Sequence, residues 1–98
     1  MLVHFGDLRF SWDDRKAAAN NRKHRVTFDE AMTVFVDPLA RAFDDPDHSE
    51  GEQRTLLVGR SLPGRLLLVV HAERADTIRI ISARKATPRE RRDYEADA

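Results

Sequence analysis

The sequence contains no cysteine, which excludes disulfides, thiolate metal sites and thiol nucleophiles. It also carries no net charge: 17 Lys and Arg balance 17 Asp and Glu, so a uniformly basic coat for nucleic acid is ruled out. Aromatic residues are sparse at 7%, with a single Trp and a single Tyr. No apolar run approaches the ~20 residues needed to cross a bilayer. The start, Met-Leu-Val-His-Phe-Gly-Asp, lacks the basic segment and apolar stretch of a signal peptide. Together these absences point to a soluble cytoplasmic protein with no membrane association. A length of 98 residues allows one domain, 1–98, with one core.

Charged residues are plentiful at 35%, and their signs are segregated. From Phe43 to Glu52 the acids Asp44, Asp45, Asp47, Glu50 and Glu52 stand without a Lys or Arg. From Arg74 to Arg92 seven cations face only Asp76 and Glu90. A neutral chain can thus hold a local positive field. Within this basic stretch Thr77 to Ala83 is β-branched or small with one charge, which predicts a strand covered on both faces over its middle. Thr87-Pro88-Arg89-Glu90 follows with a hydroxyl cap, a proline at the first helical position and a glutamate three residues after the cap, so a helix begins there.

Ahead of it, Leu2, Phe5, Leu8 and Phe10 around Gly6 predict one short strand. A helix is expected from about Asp13 to His24, with only alanines as its apolar content and with Asn20, Lys23 and His24 sharing one solvated face. Thr27-Phe28-Asp29-Glu30 repeats the capping-box pattern ahead of a second short helix ending near Asp37-Pro38. Leu39 to Phe43 is a candidate strand. Asp44, Asp45, Asp47 and His48 then lie in an acidic loop of ordinary turn residues without calcium-loop spacing, so no metal and no cofactor are expected. Three strands follow with tight connections, Arg54 to Arg60, Arg65 to Glu73 and Thr77 to Ala83, which predicts an antiparallel meander because a parallel pair needs a long crossover. The fold class is therefore α+β, an antiparallel meander sheet with two N-terminal helices and a C-terminal helix.

Alternation divides the central strand into Leu66, Leu68, Val70 and Ala72 on one face and Leu67, Val69, His71 and Glu73 on the other. The first set is wholly apolar and is expected to face the helices, leaving His71 and Glu73 on an open face with Arg54, Arg79 and Arg84. Such a group is either a set of cross-strand ion pairs or a site. As a site it has the parts for metal-independent RNA cleavage by attack of the ribose 2′-hydroxyl on phosphorus. Glu73 or His71 serves as base or acid, and Arg79, Arg84 and Lys85 hold the phosphate. The 2′-hydroxyl requirement selects RNA over DNA. Trp12 is a candidate either for the core or for stacking a base.

The residues Phe10-x-Trp12-Asp13, Lys23-His24-x-Val26-x-Phe28-x-Glu30-Ala31, Val34-Phe35-x-Asp37-Pro38, Glu73-Arg74 and Ile78-Arg79-Ile80-Ile81-Ser82-Ala83-Arg84-Lys85-Ala86-Thr87 resemble the BrnT toxins of bacterial type II toxin–antitoxin modules. The resemblance implies a RelE-like fold, endoribonuclease activity that inhibits translation, and neutralisation by a BrnA-like antitoxin. It further implies a dimer or hetero-oligomer with that antitoxin, and DNA contact only indirectly through it. Family site residues correspond to Glu73, Arg74, Arg79 and Arg84, with Arg54, Lys23 and His24 as further RNA-binding positions. His71 stands where an aromatic such as tyrosine is expected in relatives. From another class, the competing reading is a non-catalytic interaction module whose basic C-terminal face binds a protein partner.

Overall fold

The computed structural model describes residues 1–46 and 53–96. Among these the chain forms β1 (Leu2–Phe5), β2 (Leu8–Ser11), α1 (Asp14–His24), α2 (Phe28–Thr33) extended by a 3-10 turn (Val34–Val36), β3 (Arg41–Asp44), β4 (Thr55–Arg60), β5 (Leu66–Arg74), β6 (Thr77–Lys85) and α3 (Pro88–Ala96). The strands make one sheet in the order β1-β2-β6-β5-β4-β3. The α+β class and the meander of β4, β5 and β6 agree with the sequence expectation. Two features correct it. The N-terminal stretch is a hairpin of two strands, not one, closed by Gly6-Asp7 with Gly6 at a φ of 60°. That hairpin joins the meander through a parallel pair, Phe10 with Ile78 and Ser11 with Arg79, so the sheet is mixed.

Local chemistry explains the helix starts. Asp13 caps α1 by accepting from the amides of Arg15 (2.8 Å) and Lys16 (3.1 Å), and these bonds hold its carboxyl below the usual range. Thr87 and Glu90 form the full reciprocal box at α3, at 3.1 and 2.8 Å. At α2 only half of the expected box exists. Thr27 Oγ1 accepts from the Glu30 amide, but the Glu30 carboxylate turns away to Arg65 and Ser61.

Both faces of β5 are covered, so the face expected to be open is buried as well. Leu67 and Val69 pack with Phe10, Val26, Phe28, Ala31 and Val34 under α1 and α2. Leu66 and Leu68 pack with Val58 and Tyr94 under α3. His71, one alternation on from Val69, therefore points into the core and not onto an open face. It is 6% exposed and lies edge-on to Phe35 at 4.9 Å.

A fully buried Phe or Leu contributes about 1.5–3 kcal/mol, and α1 has only alanines to offer. Its docking rests instead on Asn20, which the sequence placed on a solvated face. The residue is buried, and its carboxamide donates to the carbonyls of Val26 (2.9 Å) and Ala83 (2.8 Å) while accepting from the Ala83 amide (3.0 Å). Because β2 pairs with β6 only at Ile78 and Arg79, the β6 backbone at Ala83 has no strand on that side. Asn20 supplies the missing peptide group. With each stranded group costing roughly 1–3 kcal/mol, Asn20→Ala is expected to lower stability by at least about 2 kcal/mol in urea denaturation. A change below about 0.5 kcal/mol would show that water replaces the carboxamide.

Candidate active site

One unpaired residue decides which side chains share a face. β5 and β6 pair as Val70 with Ser82 and then His71 with Ile80, so Ile81 is an extra residue in β6. Beyond this bulge Ala72 faces Arg79 and Glu73 faces Ile78. Without it Arg79 would oppose Glu73. The bulge also places Arg79 and Arg84, five residues apart, on one side of the sheet, while Ile78, Ile80 and Ala83 turn to the α1–α2 side.

The α3 side thus collects arginines. Arg79 and Ala72 are directly opposed, and Arg54 precedes β4 on the far side of β5, its carbonyl accepting from the Asp45 amide to prolong the β3–β4 ladder. Continuing the β4–β5 register one residue past Thr55 and His71 sets Arg54 beside Ala72, two strand spacings or roughly 10 Å from the Arg79 backbone, while the Arg79 side chain borders a hollow with Met1, Trp12, Asp13, Asp14 and Arg15 at the start of α1. Arg9 lies on the same side, two residues before Ser11, the partner of Arg79. It pairs with Asp76 at 2.7 Å, with 42% and 71% of the two side chains exposed. Exposed pairs of this kind contribute ~0–1 kcal/mol, so a phosphate can displace Asp76 at little cost. The Nε atoms of Arg9 and Arg54 are both buried without a hydrogen-bond partner. Arg74 pairs with Thr77 at the same end of the sheet and shares this side. Below Ile78 the strands β2 and β6 part, leaving a cleft of about 220 Å³. Glu73, exposed at the end of β5, faces Ile78 and so leaves the strand on the α1–α2 side, away from Arg79, and it meets Arg9, Asp7, Asp76 and Thr77 only along the edge of this cleft.

The other expected site residues are distributed differently. Arg84 is on the arginine side, but both terminal nitrogens bond to Glu90 at 2.9 Å, and this bidentate pairing raises its pKa and depresses that of the glutamate. It anchors α3. Lys85 pairs across from Leu67, near the start of β5, beside Arg65 and Arg91. Lys23 and His24 end α1 at the same level, since Arg25 accepts from Arg65. At ~3.3 Å per residue along β5, these three stand on the order of 20 Å from Glu73. Trp12 is 6% exposed and packs edge-on against Phe28 at 5.9 Å, so its ring offers no open face to a base. His71 lies on the opposite side from Arg79. Asp47 and His48 of the acidic loop, and Glu52, lie outside the described residues; among the described residues no cluster of His, Asp and Glu has the form of a metal site.

Arg9 is the residue that the sequence reading passed over. Its signal was the alternation of His4, Arg9 and Ser11 against Val3, Phe5 and Phe10, legible once Gly6-Asp7 is read as a hairpin turn.

A family model described as the ribonuclease toxin BrnT of type II toxin–antitoxin systems matches residues 12–90. The fold is similar to the 1.1 Å crystal structure of the Brucella abortus ribonuclease toxin BrnT, with a TM-score of 0.61 and 20% identity, over 80% of this chain and 95% of that one. At that identity the likeness is one of fold. None of the curated proteins matches the sequence.

Burial holds the His71 pKa below the usual histidine value, against the opposing pull of the Glu73 charge. The folded state thus binds the proton less readily than the unfolded state does. The stability associated with neutral His71 is complete above the unfolded value of 6.5 and is lost as pH falls below it. Urea midpoints measured on either side of pH 6.5 are expected to drop less in His71→Leu than in the unsubstituted protein; equal drops would remove His71 as the cause.

Proposed function

The chain belongs to the family of BrnT ribonuclease toxins of type II toxin–antitoxin systems, and we propose that it cleaves RNA on the arginine-lined side of its sheet. The observation that carries this reading is the placement of Arg54 and Arg79 on either side of Ala72, with Arg9 at the adjoining cleft. Attack of a 2′-hydroxyl on phosphorus builds charge on the phosphate oxygens. Guanidinium groups match those oxygens in pairs and remain charged at any physiological pH. Arg54 and Arg79 hold the reacting phosphate from two strands. Arg9 exchanges Asp76 for a phosphate oxygen. Glu73, which comes from the α1–α2 side and reaches only the edge of the cleft, is the candidate base for a 2′-hydroxyl seated in that cleft beside Arg9, and Arg74 supports the adjoining backbone.

In this reading three cations supply the electrostatic stabilisation, so the reaction proceeds without a divalent ion, and DNA is not a substrate because it lacks the nucleophile. Loss of messages inhibits translation. A BrnA-like antitoxin neutralises the protein by association, and the fold falls among the RelE-like toxins. Arg84 serves the site through α3, and Lys23, His24 and Lys85 stand too far from Glu73 to reach the same phosphate.

We expect the purified protein, free of antitoxin, to cleave mixed RNA in chelator and to leave an all-deoxy substrate intact. Arg79→Ala is expected to reduce the rate ~10²–10³-fold, the effect of removing one preorganised donor to a developing oxyanion, with an unchanged urea midpoint. Equal activity of Arg79→Ala and the unsubstituted protein would move the site elsewhere. Activity lost in chelator and restored by a divalent ion would overturn the metal-free reaction.

A further inference from the structure

A second concentration of positive charge lies where β5 begins, β6 ends and α3 starts. There Gly64, Arg65, Leu66, Lys85, Ala86 and Arg91 line an open hollow of about 360 Å³. We propose that this hollow is a second phosphate site, which grips the substrate RNA several nucleotides from the scissile bond. The inference rests on the reading of the arginine side as the ribonuclease site.

Three segments deliver the cations. Arg65 precedes β5 and is held by Glu30, with its Nε donating to the carboxylate at 2.9 Å. Its Nη2 also donates to the Arg25 carbonyl at 3.0 Å, which brings that exposed cation to the rim. The other terminal nitrogen, Nη1, has no partner among the described residues. Lys85 lies opposite Leu67 and so leaves β6 on the α1–α2 side, while Arg91 comes from α3; the hollow is at the end of the sheet, where the two sides meet. Lys85 and Arg91 are exposed, and neither forms an ion pair among the described residues. Glu30 is committed to Arg65, and Glu90 to Arg84. The hollow therefore carries positive charge that the fold leaves without a counterion.

Helix stability does not account for these cations. Arg89 and Arg91 stand in the opening turn of α3, where the helix dipole presents its positive end and a further cation is destabilising. An anion bound there reverses the sign. The lining fits a phosphate chain better than a protein. Leu66 is 3% exposed, so the hollow lacks the apolar centre of a stable protein interface, and the adjoining turn exposes one large apolar side chain, Leu62. β6 connects the two sites. Ser82 lies opposite Val70 and so faces the α3 side with Arg79 and Arg84. All three are half-buried, while Tyr94 seats α3 on Val58 and Leu68 of the neighbouring strands. A strand of RNA leaving Arg79 thus has a polar lane past Ser82 and Arg84 to Lys85 and Arg91. The lane is on the order of 15–20 Å long, which several nucleotides span.

The test compares RNA of about 4 and about 16 nucleotides, the range that single-strand sites cover. In the variant carrying Lys85→Ala and Arg91→Ala, KM for the longer RNA is expected to rise ~10-fold or more with kcat little changed. KM for the shorter RNA is expected to stay as in the unsubstituted protein. Lys85→Gln with Arg91→Gln, which keeps polar side chains, guards against a change of fold and is expected to match. Binding is read separately by fluorescence anisotropy on all-deoxy strands of both lengths. The slope of log K against log salt for the longer strand is expected to fall by about 0.7 for each cation removed. An equal rise in KM for both lengths, or an unchanged KM and slope for the longer one, overturns the proposal and leaves the arginine site standing. Weaker association with a BrnA-like antitoxin at unchanged RNA affinity also overturns it, since the hollow would then be a protein contact. If the unsubstituted protein cleaves neither RNA yet the slope falls as stated, the ribonuclease reading fails and the cationic site stands.

Discussion

The arrangement of this sheet depends on a conflict within β6 and its resolution by one extra residue. Ile78, Ile80 and Ala83 must all be buried against the α1–α2 layer, yet the first two are even-numbered and the third is odd. A regular strand of period two cannot bury all three on one side. With Ile81 left unpaired, the strand changes parity, the three apolar residues align, and Arg79 and Arg84 emerge together on the other side. The hydrophobic requirement and the clustering of cations are therefore one event. Burying a guanidinium without a partner costs several kcal/mol, so the same bulge that fills the core also keeps Arg79 out of it.

The layers on either side are unequal in kind. Beneath α1 and α2 the core is aromatic and aliphatic, with Phe10, Phe28, Leu67 and Ile80 fully buried. Beneath α3 it is small, and polar bonds supplement it: Tyr94 donates to Asp37 at 2.8 Å, and Arg84 grips Glu90. Asp37 also accepts from the amides of Leu39 and Arg60, and these bonds outweigh the desolvation that would raise its pKa. Gly59 beside it has no room for a side chain, because a Cβ there would meet Ala40 and Val34 at 2.9 Å. The partial coverage by α3 leaves the Arg9, Arg54 and Arg79 half of the face accessible.

Local signals were legible in the sequence wherever a short-range rule governs. The Thr87–Glu90 box, the Asp13 cap, the stop at Asp37-Pro38 and the three closely connected strands all form where residue chemistry places them. Long-range choices were not. Alternation gave β5 two faces but could not say that both would be covered, since the position of α3 follows in part from Tyr94 meeting Asp37, far from it in sequence. The bulge has no signature in Ile80-Ile81-Ser82, and it separates Arg79 from Glu73. The arginines were legible as a basic stretch; their convergence with Arg9 needed the parallel pairing of β2 with β6, which no motif announces. His71 was misread because a histidine in an apolar strand looks the same in sequence whether it faces water or Phe35.

The carboxamide of Asn20 has a bearing on assembly as well as on the fold. An open strand edge is a template on which another chain can add itself. By occupying the amide and carbonyl of Ala83, Asn20 plugs the stretch of β6 that the short β2 leaves uncovered. Strand addition by a second polypeptide is thereby directed to the outer borders of the sheet, β1 and β3. A partner seated along β1 would run one strand from Arg9, and its hold on the protein and its cover of the arginine side would become the same contact.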